Sequence, residues 1–184
     1  MITAQQRKKE NYAEYIIYMW QVEDLIRAHK CDMNKIRESI IPQYKNLDPD
    51  LQLEVVDWWD NLVTMMKLEK KEERGHLQML VNSVNELNTL HHRLLSAPNQ
   101  FSYQMKYQSV VPFVKELEMK MEPKPNNDID LMLTAIYGTF ILKIKGKTIS
   151  EATQQAMKAF GQFLASLSKL YNEDLKGKLE WDEE

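Results

Sequence analysis

Apolar residues recur every three or four positions through most of this chain, and this spacing limits the fold more than any other feature. The clearest stripe consists of Leu77, Leu80, Val81, Val84, Leu87, His91, Leu94 and Leu95. A helix with 3.6 residues per turn places such residues on one face, whereas a strand needs a period of two. Alternating runs and frequent turn signals are missing, so the pattern predicts an all-α protein.

Glycine and proline lie mostly between the periodic segments and divide the chain into seven predicted helices. There are only 5 glycines and 6 prolines. The predicted helices run from about Thr3 to His29, from Met33 to Tyr44, from Pro49 into the charged run Lys67–Arg74, from Leu77 to Ser96, from Asn99 to Met121, from Asp128 to Gly146, and from Thr148 to about Lys176. We expect a bundle in which the N-terminal helix is buried and the last two helices form a hairpin.

Several helix ends carry recognisable signals. Asp48 followed by Pro49 predicts an N-cap with proline in the first turn. Thr148 with Glu151 three residues later has the pattern of a capping box. Pro112 removes a backbone donor inside the fifth helix, so we expect that helix to break near Ser109.

The length of 184 residues suits one domain whose core needs no disulfide or structural metal. We predict a single helical domain over residues 1–176 and an acidic, flexible tail over residues 177–184. Because Cys31 is the one cysteine and the N-terminus lacks a secretory signal, we expect a cytoplasmic location.

The charge balance and the uncharged segments exclude two classes of partner. Lys and Arg number 24 against 27 Asp and Glu, and neither half of the chain is basic, which argues against nucleic acid. The uncharged stretch Leu131–Leu142 is shorter than the roughly 20 apolar residues that span a bilayer. We therefore predict no membrane span and interpret this stretch as a core helix.

Sequence signatures of catalysis are missing. There is no His-Glu-x-x-His motif, no Glu-x-x-His pattern repeated on two helices, no Cys/His cluster, no nucleophile elbow and no glycine-rich phosphate loop. We accordingly expect no metal and no cofactor, and the missing signatures favour a non-enzymatic protein over an enzyme.

Polar residues placed among apolar helix positions nevertheless suggest a pocket. Glu14 and Gln21 are seven residues apart and share a face of the first helix, and Asp24 lies beside the acid-before-base pair Glu23 and Arg27. His76 follows Gly75, and His91 interrupts the apolar stripe. The candidate ligand-binding residues are Glu14, Gln21, Asp24, Arg27, His76, Gln78 and His91. The alternative interpretation is a structural hydrogen-bond network, with Glu14 reaching the surface.

Several segments together resemble an uncharacterised, all-helical family of domains of unknown function from Bacteroides-type bacteria. The likeness covers nearly the whole chain and is carried by Lys8–Asn11, Ala13–Ala28, Gly75–Gln78, Leu90–His91, Tyr137–Gly138 and Gly146–Lys147. It implies a bacterial, cytoplasmic origin but assigns no mechanism and no catalytic residue.

Two functions follow as hypotheses. The first is a non-enzymatic helical protein that acts through protein–protein contacts and forms a homodimer. The second is a small-molecule-binding protein or enzyme with the polar pocket described above.

Overall fold

The computed structural model describes residues 1–181, and this range contains helices, turns and loops but no strand, which confirms the all-α prediction. Within these described residues, eight α-helices are present rather than the seven predicted. They are α1 (Ile2–Glu10), α2 (Tyr12–Ala28), α3 (Met33–Ser39), α4 (Pro49–Leu68), α5 (Gln78–Ser96), α6 (Phe101–Glu118), α7 (Asp128–Ile144) and α8 (Glu151–Leu175), with short 3₁₀ turns at Ile41–Tyr44 and Pro98–Gln100.

The chain forms two compact units. The first comprises Met1–Arg7 and Glu14–Asn82, so it holds most of α2 together with α3 and α4. The second comprises Lys8–Ala13 and the chain from Ser83 onward, and it holds α6, α7 and α8. Both units contain residues of the predicted domain 1–176, and the second unit continues beyond residue 176.

The first predicted helix is interrupted at Asn11, between α1 and α2. The buried Ser168 hydroxyl on α8 accepts a hydrogen bond from the Ala13 N–H at 3.0 Å, and Asn172 Nδ2 donates to the Lys9 carbonyl at 3.0 Å. Side chains of α8 thereby satisfy backbone groups that the interruption releases. The prediction of one continuous helix was wrong because these partners are 155 and 163 positions away in the sequence.

The predicted break in the fifth helix does not occur. Helix α6 runs through Pro112 without a gap. Its buried residues Val110 and Val114 flank the proline, and α6 packs against both α7 and α8. Burial of this face offsets the roughly 3 kcal/mol that an internal proline costs.

Most helix ends follow their sequence signals within two residues. Asp48 accepts a hydrogen bond from the Asp50 N–H ahead of Pro49, as predicted. Asn127 caps α7 directly before its predicted first residue, Asp128, and Ser150 rather than Thr148 caps α8 by accepting from the Thr153 N–H. Gly146 follows α7 with φ of +68°, a left-handed conformation that glycine adopts without strain.

Helix α7 is buried only in its first half, although the sequence predicted a core helix throughout. Ile129 and Leu131–Leu133 are buried, whereas Phe140, Leu142 and Ile144 are exposed. The predicted packing of α7 against α8 is confirmed. The second half of α7 nevertheless remains accessible, so its apolar composition needs an explanation other than burial in the core.

The predicted tail, residues 177–184, is described as far as Trp181, and Asp182–Glu184 lie outside the described residues. The Trp181 indole donates to Asp174 at 3.0 Å, and the Arg93 guanidinium lies 4.1 Å from the centre of the Trp181 ring. The Glu180 carbonyl accepts a hydrogen bond from Asn99. The described part of the tail is thus held by the second unit.

We predict that Ser168→Ala lowers the free energy of unfolding by about 1–3 kcal/mol, because the buried Ala13 N–H loses its acceptor. Urea denaturation followed by circular dichroism measures the change. Ser166→Ala, two residues earlier and partly exposed, is the control; its hydroxyl accepts an exposed hydrogen bond from Lys106, and the substitution should cost less than about 0.5 kcal/mol. Equal losses in the two variants would contradict the assigned role of Ser168.

Candidate functional site

The Glu23 carboxylate is the central polar group of the first unit. Glu23 is only 1% exposed. It accepts a hydrogen bond from His76 Nδ1 at 2.6 Å and from the Leu77 backbone N–H at 2.7 Å. Helix α2 therefore places a carboxylate against the two residues directly before α5, at a helix N-terminus where backbone N–H groups lack helical partners and favour a negative charge.

His76 is held by two neighbours. Glu23 binds one edge of the imidazole, and the Trp20 ring stacks on its face with centroids 4.4 Å apart and planes inclined by 20°. The His76 side chain is still 35% exposed. This arrangement fixes the orientation of the ring and leaves part of it accessible to solvent.

Arg27 binds the loop that leads to His76. Its Nε donates to the Lys71 carbonyl at 3.1 Å, its Nη2 donates to the Gly75 carbonyl, and its Nη1 pairs with Asp24 at 2.7 Å. Gly75 has φ of +83°, where a side chain would be strained. The last turns of α2 thus hold the connection between α4 and α5 through one arginine and one buried carboxylate.

Four of the seven predicted pocket residues belong to this region, but Gln78 has a separate role. The Gln78 N–H donates to Glu69 at 2.7 Å, and its side chain donates to Asn82 at 2.9 Å. Asp24, Arg27 and His76 converge around Glu23. Glu23 itself was noted in the sequence as the ion-pair partner of Arg27 and not as the centre of the site.

Glu14 and Gln21 do not join this cluster as a buried pair. Glu14 is exposed, and its carboxylate pairs with Arg7 at 3.0 Å. Gln21 is partly exposed on α2. The interpretation in which Glu14 reaches the surface agrees with this geometry, and the buried carboxylate of α2 is Glu23.

His91 lies in the second unit within a cluster of aromatic rings. It is 1% exposed, and its Nδ1 hydrogen-bonds with the Tyr103 hydroxyl at 2.7 Å. The rings of Tyr107 and Phe163 contact it edge-on at centroid distances of 4.6 and 5.8 Å. Tyr107 in turn donates to Asp128 at the start of α7. His91 therefore connects α5, α6 and α8 as a core residue.

Burial governs protonation in this cluster. It lowers the pKa of His91 to about 4, with the neighbouring His92 acting in the same direction and Asp128 in the opposite one. Burial likewise raises the pKa of Tyr103 and Tyr107. At neutral pH the imidazole and both phenols are uncharged, which suits an interior network.

A second polar cluster lies in this unit, and no local sequence pattern predicted it. The Tyr12 hydroxyl donates to Ser83 at 2.9 Å and lies 3.1 Å from Glu86, and Tyr171 donates to the same Glu86 oxygen at 2.6 Å. The Tyr12 and Tyr171 rings stack with centroids 4.5 Å apart. Burial raises the pKa of both phenols. Residues so far apart in the chain carry no local motif, so this group could be found only from the fold.

Residues 1–181 contain neither a cluster of metal ligands nor a helix that could cross a membrane. No group of three or more His, Cys, Asp or Glu in that range could hold a metal ion. Every helix in the same range is too short or too polar to cross a bilayer. Cys31 is buried, and burial raises the pKa of its thiol, so the reactive thiolate is disfavoured.

Fold and site together define an all-α domain whose conspicuous polar residues are engaged in internal hydrogen bonds. The chain belongs to a family described as a domain of unknown function (DUF4924), whose model matches residues 1–178. This match confirms the expected membership of an uncharacterised family. No curated protein and no solved structure matches the chain.

We predict that Glu23→Gln lowers the free energy of unfolding by about 1–3 kcal/mol, because two donors lose a charged acceptor in a buried place. Urea denaturation monitored by tryptophan fluorescence measures the change. Glu14→Gln, the same substitution at an exposed position of α2, should change stability by less than about 0.5 kcal/mol. If Glu23 bound a ligand but did not stabilise the fold, the two variants would be equally stable.

Protonation of His91 should make the protein less stable in mild acid. The pKa of His91 in the folded protein, about 4, lies below the value of about 6.5 for an unfolded histidine. Between these two pH values the unfolded chain binds a proton that the folded protein does not, so the free energy of unfolding falls as pH falls. We expect the wild-type protein to lose about 2 kcal/mol more than His91→Gln between pH 7 and pH 5. Denaturation at the two pH values measures this. The exposed neighbour provides the control: His92→Gln should retain most of this pH dependence, because burial is the largest cause of the lowered pKa of His91.

Proposed function

We propose that this chain is a non-enzymatic bacterial protein of the cytoplasm that acts through protein–protein contacts. Its contact surface is an apolar strip on α7 consisting of Ile136, Tyr137, Phe140, Ile141 and Ile144, which we call the α7 arc. The observation that carries the proposal is the exposure of this strip. The single, buried Cys31 supports a reducing compartment.

The α7 arc is a continuous apolar surface. Its five positions cover about 140° of the helix circumference at 100° per residue. Phe140 is 37% exposed and Ile144 is 67% exposed, while the other three side chains are partly exposed. Lys143 and Lys145 border the two edges of the strip. An apolar centre with a charged rim is the usual anatomy of a protein interface.

Exposure of the α7 arc to water is energetically unfavourable, and burial of the arc against a partner would favour binding. Burial of a large apolar side chain contributes about 1.5–3 kcal/mol relative to leaving it in water. A strip of clustered aromatic and branched residues also differs from single exposed apolar side chains, which are ordinary on protein surfaces. Leu53 on α4 and Leu175 on α8 are examples of such single residues.

Small-molecule binding is the second candidate function, and one observation favours it. A buried Glu23 orients the accessible His76 in the way that a carboxylate orients a catalytic or ligand-binding histidine. An open groove of about 340 Å³ between α6 and α8, lined by Lys106, Val110, Gln162 and Phe163 among others, offers another place for a ligand. Ligand binding lost in His76→Ala and retained in Glu14→Gln would favour this function.

Site-specific photo-crosslinking in living cells tests the contact surface. A benzoylphenylalanine residue replaces Phe140, which it resembles in shape, and ultraviolet light links it to whatever lies against α7. We expect a discrete higher-mass adduct, because the arc is covered by a protein when the chain acts. The matched control carries the same residue in place of Leu175, which is 68% exposed and lies in the same unit.

The adduct pattern decides the proposal. A product formed at position 140 and not at 175 supports the α7 arc as the contact surface, and its mass gives the size of the partner. Equal, diffuse labelling at both positions would show that the arc is no more engaged than an ordinary surface and would overturn the proposal.

A further inference from the structure

We infer that the partner of the α7 arc is a second copy of this chain, which packs antiparallel to the first across a two-fold axis near Phe140. This inference rests on the proposed function, because it assumes that the arc is a protein contact surface. It adds the identity of the partner and the relative direction of the two helices.

The spacing of the arc suits a self-complementary contact. Ile136, Phe140 and Ile144 are separated by four residues each and form one ridge along α7. A two-fold axis near Phe140 places Ile136 of one copy opposite Ile144 of the other and brings the two Phe140 rings together. Such an isologous contact buries the same patch on both copies.

Charge favours the antiparallel direction. The end of α7 and the following turn carry Lys143, Lys145 and Lys147 with no acidic residue among them, while the first turn carries Asp128 and Asp130. Parallel packing would bring the lysines of both copies together. Antiparallel packing separates each Lys145 from its counterpart by about 15 Å along the axis, at 1.5 Å per residue. It also directs the lysines towards the acidic first turn of the other copy, which favours association.

The area of the arc indicates how far the contact must extend. A stable interface buries about 800 Å² on each partner, which is more than one strip of five side chains offers. The groove between α7 and α8 adjoins the arc and is lined by Thr139, Lys143, Glu151, Gln154 and Lys158, among others. These polar residues would form the rim of the interface, and Glu151 adds an acidic group within reach of a lysine of the other copy.

Sedimentation velocity of the purified full chain tests the stoichiometry. We expect a concentration-dependent species with twice the chain mass of 21.8 kDa. Phe140→Asp and Ile144→Asp should weaken the dimer by roughly tenfold or more, because each places a charge in an apolar contact. Leu175→Asp is the matched control, since Leu175 is 68% and Ile144 is 67% exposed, and it should leave the dimer intact. Circular dichroism establishes that all three variants are folded.

Disulfide trapping tests the direction of the helices. Bridged cysteines have Cα atoms less than about 7 Å apart. In the antiparallel pair, residue 140 meets its counterpart, whereas the two copies of residue 144 are about 12 Å apart along the axis. Mild oxidation should therefore link Phe140→Cys and leave Ile144→Cys largely unlinked, although position 144 is the more exposed. The native Cys31 is buried and can be retained.

Each alternative result identifies a different error. Equal trapping at both positions would contradict the antiparallel arrangement. A wild-type chain that stays monomeric at high concentration would contradict the inference that the partner is a second copy of the chain. If that monomer is linked to a different protein through position 140 in cells, the proposed function stands without self-association. If it instead binds vesicles of anionic lipid, and Phe140→Asp abolishes that binding, the arc is a membrane-contact surface and both proposals fail.

Discussion

Burial of the Glu23 carboxylate is the constraint on which the connection between α4 and α5 depends. A carboxylate removed from water costs several kcal/mol unless its oxygens accept hydrogen bonds. His76 and the Leu77 N–H supply those bonds, and the Arg27 guanidinium lies 3.9 Å away. Because both hydrogen-bond donors lie directly before α5, one charge on α2 stabilises the start of that helix. Arg27 then holds the preceding loop through two carbonyl groups, so the charged end of α2 organises a segment that has little apolar material of its own.

Local signals predicted the fold class and most helix ends, and distant contacts account for the errors. The Asp48 cap and the Gly146 turn depend on neighbouring residues, so the sequence reveals them. The interruption at Asn11 depends on Ser168 and Asn172 of α8, which no local pattern can indicate. Pro112 shows the opposite case, because a strong local signal for a break was outweighed by packing against two other helices. Apolar composition also led to the wrong prediction that α7 is buried throughout. Composition indicates that a surface favours burial, but it does not indicate whether residues of the same chain bury it.

The candidate site was harder to predict because α2 is apolar around most of its circumference. Glu14 and Glu23 are nine residues apart, which places them on opposite sides of a helix with 3.6 residues per turn. Only one of the two could be the buried carboxylate, and composition does not distinguish them. His91 was correctly singled out as unusual in an apolar stripe, yet the rings around it come from α6 and α8 and leave it as a neutral core residue. To predict that Asp24, Arg27 and His76 converge, one would have to know the course of the loop after α4.

The assignment of Lys8–Ala13 to the second unit has a consequence for how the protein can be divided. The chain begins in the first unit, enters the second for six residues, returns, and leaves again after Asn82. Neither unit is therefore one uninterrupted length of polypeptide. A fragment cut at Asn82 would separate Tyr12 from both Ser83 and Glu86 and would remove Ser168 from the Ala13 N–H. The two units are compact in space but interleaved in sequence, so the second unit depends on Lys8–Ala13, which are synthesised before nearly all of the first unit.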